Sequence, residues 1–64
     1  MLGRVKTYSS QKKYGFISGD DGKEYYFTEG EIRIPSKILS AGYGVQFTTA
    51  DGYPCPKARN VRLL

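Results

Sequence analysis

The strongest constraint on this chain is how its backbone breakers are spaced. Glycines stand at positions 3, 15, 19, 22, 30, 42, 44 and 52, and prolines at 35, 54 and 56. No stretch between them comfortably holds a stable three-turn helix. What lies between is a series of short runs rich in β-branched and aromatic residues: Arg4 to Tyr8, Tyr14 to Ser18, Glu24 to Thr28, Val45 to Thr49 and Ala58 to Leu63. Such residues fit a pleated, half-buried surface, so the chain is expected to form five strands. Asp20-Asp21-Gly22-Lys23 reads as a tight hairpin turn, and Asp51-Gly52-Tyr53-Pro54 as a second turn between the last two strands. From Glu29 to Gly44 the pattern is irregular, and a loop with at most a short helical turn near Ser36 to Leu39 is expected. Five short strands in a 64-residue chain point to a small closed barrel, because closure removes the exposed edges of a flat sheet. Both an oligonucleotide-binding-type barrel and an SH3-like barrel fit, as one domain over residues 1–64.

Size and composition narrow the function classes. A domain this small buries only about 60% of the surface of its unfolded chain and has little room for a deep catalytic cavity. No nucleophile and base pair is apparent, and no enzyme is expected. Ten Lys plus Arg against six Asp plus Glu leave a net charge of +4, which favours polyanionic partners. A single cysteine, Cys55, excludes an intrachain disulfide and fits a reducing compartment. With no histidine and no calcium-loop spacing of the acids, neither a metal nor a cofactor is expected. Met1 to Lys6 runs straight into charge without an apolar signal segment, and no apolar run is long enough to span a bilayer. The expectation is a cytoplasmic protein with no membrane partner. It reads as a monomer, with short edge strands that leave a strand-exchanged dimer open.

Alternation along each run sorts the side chains into faces. Val5 and Thr7 oppose Arg4, Lys6 and Tyr8. Ile17 and Gly15 oppose Tyr14, Phe16 and Ser18. Tyr25 and Phe27 oppose Tyr26 and Thr28. Val5, Ile17, Tyr25, Phe27, Val45, Phe47, Val61 and Leu63 supply one barrel core. The opposite face of the first three strands collects Lys6, Tyr8, Tyr14, Phe16 and Tyr26, with Lys12 and Lys13 in the turn before Tyr14. Rings flanked by lysines form a platform on which unstacked bases lie while the cations follow phosphates. Lys57 and Arg59 share a face and extend the basic strip. The competing reading has the rings capping barrel ends. Gly15 is assigned a structural role, a close approach between strands. Cys55 is read as a bystander thiol. Tyr43 and Tyr53 are either corner residues or a widening of the contact surface, and alternation does not choose.

These residues resemble the cold-shock domain family. Lys12-Lys13-Tyr14-Gly15-Phe16-Ile17 is similar to the family's first ribonucleoprotein motif, Lys-Gly-(Phe/Tyr)-Gly-Phe-Ile, and Gly3-Arg4-Val5-Lys6-Thr7-Tyr8 to Gly-(Lys/Thr)-Val-Lys-Trp-Phe. Tyr25-Tyr26-Phe27-Thr28 stands at the second motif, Val-Phe-Val-His. Ala41-Gly42 through Val45-Gln46-Phe47 resembles Glu-Gly-x-x-Val-x-Phe, and Pro56-Lys57-Ala58-Arg59-Asn60-Val61 resembles Pro-Gln-Ala-x-Asn-Val. The resemblance implies an all-β, five-stranded antiparallel oligonucleotide-binding-type barrel. It implies binding of single-stranded RNA or DNA with low sequence specificity, and an RNA chaperone role. The binding positions it implies are Lys6, Tyr8, Lys12, Tyr14, Phe16 and Tyr26; Lys13, which adds charge at the edge of the platform, and Thr28, on the face of Tyr26, are further candidate contacts. Against the family pattern, Lys13 replaces a glycine, Thr7 the large Trp, Thr28 the His and Glu29 a frequent Phe, while Ser36 falls near another family aromatic. Each missing stacking ring is worth about 1–3 kcal/mol, so weaker binding than that of a typical member is expected. The rival expectation is a protein-interaction module on the same barrel, its platform depleted and Glu29 and Glu31 part of the contact.

Overall fold

A computed structural model describes residues 1–33, 40–53 and 55–64. The strands are β1 (Leu2–Ser9), β2 (Tyr14–Gly19), β3 (Glu24–Thr28), β4 (Gly44–Ala50) and β5 (Lys57–Leu63), with one 3-10 turn, Glu29–Glu31, directly after β3. The helical turn expected near Ser36 to Leu39, and the aromatic position assigned to Ser36, lie outside the described residues.

The strands close into a barrel in the order β1-β2-β3-β5-β4. β1 serves two neighbours: its first residues pair with β4 (Gly3 with Val45), and from Gly3 to Ser9 it pairs with β2. The pairings are antiparallel except at the closing seam. There β3 meets β5 in parallel through Tyr26 and Lys57, and Ile32 forms a parallel bridge to Val61. The all-β, five-stranded closed barrel is the one expected, its antiparallel pairing joined by this parallel contact at the seam.

The core consists of Val5, Ile17, Tyr25, Phe27, Val45, Phe47, Ala58 and Val61, with Tyr8, Ile32 and Leu63 packed half-buried against it. Alternation anticipated most of it. Leu63 lies at the margin, and Ala58 takes an interior place that was not anticipated.

Strict alternation fails at two bulges. On β1, Val5 opposes Ile17 but Thr7 opposes Phe16, so Lys6 is an extra residue and every side chain after it changes face. Thr7 thus joins Phe16 on the outside. Tyr8 turns inward, opposite Gly15, and stacks on Phe27 with ring centroids 5.7 Å apart and planes 10° from parallel. The expected placement of Tyr8 beside Lys6 and Phe16 is corrected accordingly. On β5, Gln46 opposes Arg62 but Thr48 opposes Arg59, and Asn60 absorbs the extra residue at φ 53°. Left-handed backbone is tolerated by asparagine better than by most residues. Because of this bulge Ala58 and Val61, three apart, both face inward, while Lys57 and Arg59 stay outside.

Gly15 permits the tight β1–β2 approach. A Cβ there would stand 2.3 Å from the Thr7 carbonyl oxygen and 2.9 Å from Cζ of Phe27. Any side chain would push β1 away from β2, the strand that carries Tyr14 and Phe16.

Candidate nucleic-acid interface

Pairing between β2 and β3 sets Tyr14 opposite Thr28, Phe16 opposite Tyr26 and Ser18 opposite Glu24. The odd-numbered partners of this hairpin, Ile17 and Tyr25 among them, fill the barrel. The even-numbered ones remain outside, and three of them are aromatic. Their centroids form a triangle: Tyr14 to Phe16 is 6.2 Å, Tyr14 to Tyr26 5.8 Å and Phe16 to Tyr26 5.7 Å. Neighbouring planes are inclined by 84°, 39° and 60° respectively, the edge-to-face and tilted arrangements that aromatic quadrupoles favour. Each ring is half-buried.

The structure thus brings together Tyr14, Phe16, Tyr26 and Thr28, with Thr7 added by the β1 bulge. It leaves Tyr8 out of the triangle. The Tyr8 hydroxyl donates to Oε2 of Glu29 at 3.4 Å, which sets a carboxylate beyond Thr28 where the 3-10 turn begins.

Around the rings the cations divide into two sets. Lys6 is ion-paired with Glu24, and Arg59 lies with Nε 3.7 Å from Oε1 of Glu31. Lys12, Lys13 and Lys57 are exposed and form no ion pair among the described residues. Lys12 and Lys13 end the β1–β2 turn, which is held by bonds to Ser9: the Lys13 N–H donates to the Ser9 carbonyl at 2.7 Å, and the Lys12 N–H to Oγ of Ser9 at 3.1 Å. Lys13 completes the turn at φ 64°, a conformation unusual for lysine.

Two depressions border the triangle. One, of about 310 Å³, follows the β3–β5 seam between Tyr26, Thr28, Glu31, Asp51, Lys57 and Arg59. The other, of about 260 Å³, lies between Phe16, Tyr26, Tyr53, Cys55 and Lys57. Asp51 and Cys55 border this region although they were not among the expected contact residues, and so does Tyr53, whose role alternation left open. Their signal in the sequence was only the turn composition of the β4–β5 connection, which fixes no direction for its side chains.

At the far end of the β2–β3 hairpin, the Tyr25 hydroxyl donates to Oδ2 of Asp21 at 2.5 Å, and the Lys23 N–H donates to Oδ1 at 3.0 Å. The phenol first, then the backbone N–H, holds the Asp21 carboxyl below its ordinary value of 3.8, and the same bond raises the Tyr25 phenol above 10.0. This pair fastens the hairpin and lies apart from the rings. Among the described residues no three His, Cys, Asp or Glu come together as a metal site, and no helix is long and apolar enough to cross a membrane.

Residues 1–64 match the family described as the 'Cold-shock' DNA-binding domain. A cold shock-like protein of Bacillus cereus is 37% identical over 62 residues, covering 95% of both chains. One from Thermotoga maritima is 34% identical over 65 residues, covering 100% of this chain and 98% of its own. One from Aquifex aeolicus is 36% identical over 64 residues, covering 97% and 91%.

Proposed function

Since the chain belongs to the cold-shock domain family, a family of nucleic-acid-binding and not catalytic proteins, we propose that it binds single-stranded RNA or DNA with low sequence specificity. The observation that carries this reading is the outward triangle of Tyr14, Phe16 and Tyr26, with centroids 5.7 to 6.2 Å apart, beside Lys12, Lys13 and Lys57. Bases stack on the rings, and the lysines neutralise the phosphates between them. Thr28 adds a hydroxyl opposite Tyr14, and Arg59 adds charge along the seam once released from Glu31. Lys6 contributes only in exchange for Glu24. Tyr8 serves mainly as the support beneath the Phe27 end of the barrel.

Stacking needs unpaired bases, so the protein selects single strands and shifts duplex equilibria by mass action. That is sufficient for an RNA chaperone acting in the cytoplasm without nucleotide hydrolysis. With Thr7, Thr28 and Glu29 in place of larger rings, binding is weak and exchange rapid.

Fluorescence anisotropy of a labelled pyrimidine-rich single strand, with its duplex as control, at two salt concentrations tests the reading. The expected result is preference for the single strand, with affinity falling as salt rises. Equal weak binding to strand and duplex would reduce the interaction to the net charge of +4. No binding at low salt would instead favour a protein partner on the same face.

A further inference from the structure

The cleft between the β4–β5 connection and the ring triangle holds one aromatic side chain that the triangle does not use. Tyr53 is 95% exposed, the most open of the large apolar side chains among the described residues, and it borders the cleft together with Phe16, Tyr26, Cys55 and Lys57. A ring left in water at the rim of a largely apolar depression has apolar surface to gain from a partner.

The connection carrying Tyr53 is fastened on both sides. Ala50 pairs with Lys57 at its base, and the Tyr26 N–H donates to the Pro56 carbonyl at 3.0 Å. Gly52 allows the chain to fold back closely: a Cβ there would stand 2.7 Å from the Cys55 carbonyl oxygen and 2.8 Å from Cγ of Lys57. The backbone on either side of Tyr53 is thus tied to the strands that present Tyr26 and Lys57. At about 260 Å³ the cleft is smaller than the roughly 300–1,000 Å³ of pockets for drug-sized ligands. It suits a single planar ring.

We propose that Tyr53 forms an additional stacking subsite. One unpaired nucleobase enters between the Tyr53 ring and the Phe16–Tyr26 side of the cleft, with a flanking phosphate on Nζ of Lys57. The subsite rests on the single-strand-binding reading above and continues its face across Tyr26 to the β4–β5 side of the barrel. It supplies from the connection a ring that this chain lacks at Thr7 and Thr28.

The test measures binding of a labelled short oligothymidylate to the full chain and to Tyr53→Ala, Tyr53→Phe, Tyr53→Leu and Phe16→Ala. Tyr53→Ala is expected to bind about 5- to 150-fold more weakly with unchanged Tm, since stacking on one ring is worth about 1–3 kcal/mol per base. Tyr53→Phe keeps the ring and binds as the parent does. Tyr53→Leu keeps apolar surface without a π-face and remains weak. Alkylation of Cys55 by iodoacetamide slows on adding the oligonucleotide to the parent. If Phe16→Ala weakens binding while Tyr53→Ala does not, the subsite is refuted and the single-strand reading survives. If the parent shows no preference for single strands, both fail together. Retention of the Tyr53→Ala loss in Tyr53→Phe, which would assign it to the hydroxyl, or of parental affinity in Tyr53→Leu, which would assign it to apolar surface alone, would also refute a stacking role.

Discussion

Lys13 ends the β1–β2 turn in a left-handed backbone conformation, φ 64°, at a position where the family carries glycine. An L-residue there brings its Cβ towards the following carbonyl and costs roughly 1–2 kcal/mol relative to glycine. Replacement by glycine removes that strain but gives the unfolded chain more freedom, which offsets it by about 0.4–1 kcal/mol. Lys13→Gly is therefore expected to stabilise the fold by a net of about 0.5–1 kcal/mol. At roughly 4–8 °C per kcal/mol for a domain of this size, Tm should rise by about 2–8 °C. The hydrogen bonds of the turn, from the Lys13 N–H to Ser9 and from the Glu29 N–H to the Lys13 carbonyl, belong to the backbone and survive the change. Lys13→Ala is the control, because it removes the charge but keeps the Cβ, and it should gain little. Thermal unfolding by circular dichroism measures both. An equal or lower Tm for Lys13→Gly, or an equal rise in Lys13→Ala, would refute the strain explanation. The same two variants settle whether the Lys13 ammonium meets a phosphate. If it does, each lowers the slope of log affinity against log salt for a single strand by about 0.7.

Phe16→Ala should lower affinity for a single strand while the barrel stays folded, whereas Ile17→Ala, which empties a fully buried position, should cost about 2–5 kcal/mol in urea unfolding. Gly15→Ala should destabilise the barrel strongly, because the new Cβ meets the Thr7 carbonyl oxygen at 2.3 Å; the same Tm as the parent would show that β1 and β2 can separate without penalty. For Asp21, whose carboxyl titrates below its ordinary 3.8 in the fold, the stabilisation is present above that value and is lost as pH falls through the lowered one. Asp21→Asn should thus be less stable than the parent near neutrality and show a flatter Tm profile below about pH 4. In the alkaline direction the raised Tyr25 phenol contributes fully below 10.0 and fades as pH climbs through its folded value.

The strands were legible because their signals are local. Breakers bound each run, and β-branched and aromatic residues fill it, so β2 and β3 begin where the pattern places them. The β2–β3 hairpin has no bulge in its described register, and there alternation separated Ile17, Tyr25 and Phe27 from Tyr14, Phe16 and Tyr26 without error. The closing seam was not legible in the same way. A parallel contact through Tyr26 and Lys57 depends on how far the barrel has curled before β5 returns, and no single segment encodes that. Tyr53 was undecidable for a related reason: a turn composition predicts that the chain reverses, but the direction of an exposed ring follows from the neighbours that the reversal brings near.

The two bulges have opposite effects on the outer face. At Lys6 the extra residue exchanges Tyr8 for Thr7, so an aromatic ring leaves the face and a small hydroxyl side chain takes its place. At Asn60 the extra residue allows Lys57 and Arg59 to remain outside although Val61, of the same parity, is buried. One irregularity removes stacking surface and the other retains charge. On the proposed function the balance of binding therefore shifts from bases towards phosphates. Stacking on three rings gives a modest dependence on base identity, since every base has a π-face, while the unpaired lysines make affinity depend steeply on salt. Raising the ionic strength should consequently weaken the complex more than changing the base composition of the strand does. The reverse order would mean that the seam groove beside Glu31 and Asp51 reads base edges, and that the polar side chains there, and not the rings, set the affinity.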